Sequence, residues 1–195
     1  MYQNQIKEYI LLEQKILDKL DIDAINAAME LLADCVKNGR NIYVFGNGGS
    51  SATASHYQND FNKGISEHTE QKFRFICLND NVPTIMAIAN DIGFEEVFRF
   101  QLQGKITSSD VIMAISGSGN SRNVINAVEY AKEQGCKVIG LTGYSGGKLM
   151  ELSDISLHVP VNSMQVTEDI HMVLDHLIMS IFYKTMCGIE HVKKL

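Results

Sequence analysis

His56 and Asp60 stand four residues apart in the stretch "SHYQND", an interval that puts an imidazole and a carboxylate on one face of a helix. Such a pair can exchange protons with a substrate or offer two ligands to a metal ion. A second polar group lies near the C-terminus in "TEDIHMVLDH", where Glu168, Asp169, His171, Asp175 and His176 interrupt an apolar run. Glu168 and His176 are eight residues apart, ~12 Å along a helix, so they reach one ligand only by leaning toward it. Asp169 and Asp175 are expected on the solvated side of that helix, because a carboxylate is costly to bury among Ile170, Val173, Leu174, Leu177 and Ile178.

Hydroxyls form a third group. In "ISGSGNSRNV", residues 115–124, Ser116, Ser118 and Ser121 fall within six residues, ahead of a predicted helix. The free N–H groups and positive dipole end of a helix N-terminus favour an anion, and a phosphate monoester suits the added hydroxyls. Serine also caps helices and turns chains, which is the alternative reading for Ser121 taken alone. Two further loops, "GNGGSS" at 46–51 and "TGYSGG" at 142–147, also follow apolar runs. Glycine loses the most backbone entropy when it is fixed, so its clustering after a strand implies that something approaches the main chain closely. The first loop lacks the lysine of a P-loop and the spacing of a dinucleotide fingerprint, so no nucleotide cofactor is expected.

The elements that position these groups follow from periodicity. Residues 4–20 and 22–38 repeat apolar positions at the helical period and predict two N-terminal helices. Five short apolar runs then read as strands: "NIYVF" at 41, "FRFICL" at 73, "DVIMAIS" at 110, "KVIGLT" at 137 and "ISLHVP" at 155. Helices are predicted between them at 51–62, 82–90, 94–103 and 121–134, with a last long one from Gln165 to Met186. Near-continuous hydrophobicity in the strands, alternating with helices, predicts an α/β fold with a parallel, doubly wound sheet. In such a sheet the three Gly/Ser-rich loops share the carboxyl edge, where ligands of open α/β folds bind.

Composition bounds the rest. A chain of 195 residues suits a single domain, with 1–38 as added helices and 39–195 as an α/β core ending in the long helix. A net charge of −6 argues against a nucleic-acid partner, because only the terminal "HVKKL" is locally basic. Cys35, Cys77, Cys136 and Cys187 are widely spaced without a C-x-x-C, so reduced thiols are expected rather than a zinc ribbon or redox pair. The N-terminus has no signal-like apolar core and no segment suits a membrane span, which predicts a cytoplasmic protein with no membrane partner.

The ordered set "GNGGSSATASH", "ANDIGFEEVF", "ISGSGNSRNV", "LTGYSGGKL" and a final helix with His176 resembles the sugar isomerase (SIS) domain family, and within it the bacterial phosphoheptose isomerases, over almost the whole chain. The resemblance implies a five-stranded parallel sheet in a flavodoxin-like or Rossmann-like three-layer fold, extra N-terminal helices and a homotetramer. It implies interconversion of sedoheptulose 7-phosphate and a heptose phosphate, with zinc bound in some members. Asn47, Gly48, Gly49 and Ser50 fall on the first substrate-binding loop, Asn90 and Asp91 on a second contact, and Ser116, Gly117, Ser118 and Ser121 on the phosphate cradle. The family's His–Glu pair falls on His56 and Asp60, and its Gln and His on Glu168 and His176, so two of the four residues depart from the pattern. Together His56, Asp60, Glu168 and His176 offer two neutral and two anionic ligands that would neutralise a zinc ion. In the reaction, Asp60 or Glu168 is expected to move the carbon-bound proton of an enediol mechanism, His176 to serve the oxygens, and the serines to hold the phosphate. Two rivals stay open: a non-catalytic sugar-phosphate regulator or replication-initiation partner of the same fold, and an isomerase of another phosphosugar. The four titratable residues together favour an enzyme.

Overall fold

The computed structural model describes residues 1–189, so the basic "HVKKL" lies outside the described residues. Its centre is a five-stranded sheet of β1 (Ile42–Gly46), β2 (Phe75–Cys77), β3 (Val111–Ser116), β4 (Lys137–Thr142) and β5 (Ile155–His158). The strand order is β2-β1-β3-β4-β5 and every pairing is parallel. All residues of β1 and β3 are buried, which is why these strands read as unbroken apolar runs. Side chains alternate between two cores. Ile42, Val44, Met113 and Ile115 face one side, while Tyr43, Phe45, Ile112 and Ala114 face the other.

The first core is covered by α2 (Ile22–Asn38), α3 (Gly49–Asn59) and α8 (Met164–Cys187), which contribute Leu32, Tyr57, Leu174, Ile178 and Phe182. The second lies under α4 (Val82–Asp91), α5 (Arg99–Leu102), α6 (Arg122–Glu133) and α7 (Gly147–Leu152), with Ile88, Leu102, Val124, Val128 and Leu149. The outcome is the expected three-layer fold. Local chemistry sets the helix ends. Asp21 accepts from the Ala24 N–H at the start of α2, and Gly39 closes that helix in the left-handed conformation at φ 64°. Ser163 likewise caps α8 by accepting from the Val166 N–H.

Three stretches differ from the sequence reading. Residues 94–103, expected as one helix, form a 3-10 turn at Phe94–Glu96 and the single-turn α5, which ends where Gln103 goes extended at ψ 125°. Helix α7 was not expected, because six residues hold too little of a period to register. Helix α3 widens at Asp60–Gly64 into a π turn, a local irregularity that is frequent at functional sites. At the N-terminus, α1 (Gln3–Leu17) meets α8 through a hydrogen bond from the Tyr9 hydroxyl to Asp169. Ile6, Ile10 and Leu11 of α1 are exposed. Among the described residues, no helix is long and apolar enough to cross a membrane, and all four cysteines are free.

Candidate active site

Two loops at the carboxyl edge of the sheet build a cavity of about 230 Å³. The first leaves β1 and enters α3 through Gly48, which adopts φ 54° and ψ −123° and offers no side-chain cap. The second leaves β3 at Ser116 and enters α6 after Ser121, whose side chain also caps nothing. Instead, the Ser121 hydroxyl accepts a hydrogen bond from Ser116 at 3.2 Å, within the cavity wall. The uncapped N-termini of α3 and α6 therefore open beside a ring of hydroxyls, an arrangement suited to an anion. Asn47 and Asn123 lock the two loops together by exchanging amide hydrogen bonds of 2.8 and 2.9 Å.

Asn47, Gly48, Gly49, Ser50, Ser116, Gly117, Ser118 and Ser121 all line this cavity, and Glu168 joins them from α8. The Glu168 carboxylate lies so close to Gly49 that a Cβ there would collide with it, which gives this glycine its physical reason. A neighbouring cavity of about 620 Å³ shares Asn47 and Ser121 and adds Phe94, Arg122 and Asn123. Arg122 and Asn123 were missed in the sequence, although their place in the first turn after the serine loop was the available signal. Asn90 and Asp91 are exposed, bond to each other at 2.8 Å and line neither cavity.

Farther along the same two helices a second constellation forms. The Nε2 atoms of His56 and His176 are 3.0 Å apart. Asp60 Oδ2 lies 3.3 Å from the first and 3.9 Å from the second, and Asp175 Oδ2 lies 3.7 Å from His56 Nε2. All four donor atoms fall within 4.8 Å of one another. The position of Asp175 corrects the expectation that it faces solvent. It is fully buried, with neither carboxylate oxygen hydrogen-bonded, because α8 turns this face onto α3 rather than outward. Burial, and then the charge of Asp60, push its pKa up to about 8. Asp169 is exposed, as expected. Glu168 is not among the converging groups, so the carboxylate that joins His56, Asp60 and His176 is Asp175. His171 stays apart. It is buried, its Nε2 donates to the Thr142 carbonyl at 3.2 Å, and burial lowers its pKa to about 4.

Gly49 touches Glu168 and His56 touches His176, so α3 and α8 run parallel and in step. The cavity and the His/Asp cluster are separated by seven residues on one helix and eight on the other, ~10–12 Å along the axes. The cluster also passes a test for a metal. Two imidazole nitrogens and two carboxylate oxygens within 4.8 Å of one another, four of the pairs at 3.0–3.9 Å, match the donor types of zinc, whose bonds of ~2.0–2.2 Å set tetrahedral ligands ~3.4 Å from one another.

Comparison with known proteins points the same way. The SIS domain family model matches residues 2–143. A phosphoheptose isomerase of Aliarcobacter butzleri is 36% identical over 178 residues, covering 90% of this chain and 94% of that protein. One from Leptospira biflexa is 36% identical over 191 residues, 97% of each chain. Among solved structures, phosphoheptose isomerase GmhA from Neisseria gonorrhoeae superposes with a TM-score of 0.86 at 30% identity, covering 95% of this chain and all of that one.

Proposed function

The chain belongs to the SIS domain family, and from that premise we propose that it interconverts sedoheptulose 7-phosphate and a heptose 7-phosphate through an enediol. It is a phosphosugar isomerase, as its relatives are. The observation that carries the substrate reading is the spacing between cavity and cluster. With C–C bonds of ~1.5 Å, an extended seven-carbon chain and its phosphate ester span roughly 10 Å, comparable to the ~10–12 Å of helix between the cavity residues Gly49 and Glu168 and the cluster residues His56 and His176.

A phosphate held by Ser116, Ser118 and Ser121 between two helix N-termini would leave C1 and C2 beside Asp60 and His176. There Asp60 takes the proton from one carbon and returns it to the other, and where no metal occupies its Nε2, His176 donates to the oxygen on which charge develops. Asp60 suits the task because its side chain is 11% exposed and opens toward the site, whereas Asp175 is sealed. Glu168, nearer the phosphate end, accepts hydrogen bonds from sugar hydroxyls along the chain. Zinc is the metal we assign to the cluster, held by the imidazoles of His56 and His176 with a carboxylate. When bound it would supply Lewis-acid polarisation of the C1–C2 oxygens in place of the His176 donor.

Replacing Asp60 by Asn tests the assignment. Turnover should fall by ~10²–10⁴, the usual worth of a general base, with KM little changed. Solvent deuterium incorporation at C1 or C2 should fall in step, and an unimpaired variant would remove Asp60 from the mechanism. Two wider properties complete the reading: self-association into a homotetramer, supported by the exposed Ile6, Ile10 and Leu11 of α1, and a cytoplasmic setting, supported by the four free cysteines.

A further inference from the structure

We propose that Asp175 is the carboxylate ligand of the metal site, binding a divalent zinc-class ion together with Nε2 of His56 and Nε2 of His176 and leaving Asp60 unbound as the proton-transferring group. The proposal refines the metal reading above. It does not depend on the isomerase reading, because metal uptake is its readout.

The case begins with a group that is otherwise unexplained. Asp175 is fully buried on α8 and neither of its oxygens has a hydrogen-bond partner, although natural proteins pair nearly all such atoms. Its Oδ2 points into the cluster, 3.7 Å from His56 Nε2. There two imidazole nitrogens lie 3.0 Å apart, a hydrogen bond between them without metal and close to the spacing of two nitrogens on one ion. Two neutral imidazoles and one carboxylate form the three-ligand set typical of a catalytic zinc, with the fourth position open to substrate or water.

Asp60 differs from Asp175 in two ways. Its Oδ1 accepts a hydrogen bond from Asn59 Nδ2 at 3.0 Å, and its side chain retains some exposure, so Oδ2, although 3.3 Å from His56 Nε2 and 3.9 Å from His176 Nε2, can be solvated without an ion and can reach the sugar. Glu168, two turns toward the cavity, takes no part in the shell. The ligand set therefore draws both histidines from positions where the sequence resembles its family, and its carboxylate from a position that the resemblance does not mark.

The experiment uses the full chain, stripped with EDTA and titrated with zinc by calorimetry and with cobalt(II) by visible absorption. Wild type should take up one ion per chain and give the intense visible bands of tetrahedral cobalt. Asp175→Asn should bind at least ~100-fold more weakly, more than loss of an outer-shell partner costs. In EDTA this variant should melt above wild type, since it no longer buries a carboxylate, and that result also shows that it folds. Asp60→Asn should keep zinc affinity within about fivefold of wild type while losing turnover, the division of labour expected of an unbound base. Zinc affinity retained in Asp175→Asn, lost as fully in Asp60→Asn, or absent from wild type would each overturn the assignment. Solvent deuterium exchange by wild type tests the isomerase reading separately.

Discussion

Ser121 occupies the N-cap position of α6 yet caps nothing. Its hydroxyl is instead bonded to Ser116 in the wall of the cavity where we propose that the phosphate binds. Ser121→Ala should therefore leave α6 intact and raise KM for the phosphosugar ~10-fold, the worth of a hydrogen bond to a charged group, with kcat nearly unchanged. A change in thermal stability with no change in KM would return Ser121 to a structural role. His171 shows the opposite case, a titratable residue that serves the fold. Folded, its imidazole stays neutral down to about pH 4, whereas the unfolded chain takes the proton near 6.5. Its contribution is therefore complete above pH 6.5 and is lost as the pH falls toward 4, up to roughly 3 kcal/mol. Thermal melts across that window should decline for wild type and flatten for His171→Gln.

At the scale of elements, α3 and α8 run parallel and in register, which on the proposed binding mode makes them a ruler for the substrate. Gly49 admits Glu168 at one level, and His56 meets His176 two turns later. A five-carbon ketose 5-phosphate should anchor in the serine cradle but fall short of Asp60. Its kcat/KM should be lower by ~10² or more, as for other misplacements of this size, while it still competes with the seven-carbon substrate. Equal turnover of the two sugars would mean that the spacing does not select chain length. The π turn that opens at Asp60 contributes here too, since it sets the carboxylate at the point where α3 departs from regular geometry.

At the scale of the molecule, α1 contacts α8 but leaves Ile6, Ile10 and Leu11 exposed. Replacing Ile6 and Leu11 together by Glu should convert the proposed homotetramer to smaller sedimenting species without loss of helical signal, because like charges would then face each other across the proposed interface. An unaltered sedimentation pattern would move the contact to another surface. The sequence by itself determined the strands, most helices and the loops that line the cavity, because hydrophobic period, glycine clusters and serine spacing are local properties of the chain. It also marked His56, Asp60 and His176, whose spacing on their own helices is a local property as well. Only the tertiary structure decided which carboxylate completes the cluster. Asp175 and Glu168 differ by seven residues on one helix, and nothing local tells which of them meets α3 beside the histidines and which meets Gly49 in the cavity. That choice depends on the parallel docking of α3 against α8, and the packing of the two helices over the sheet sets it.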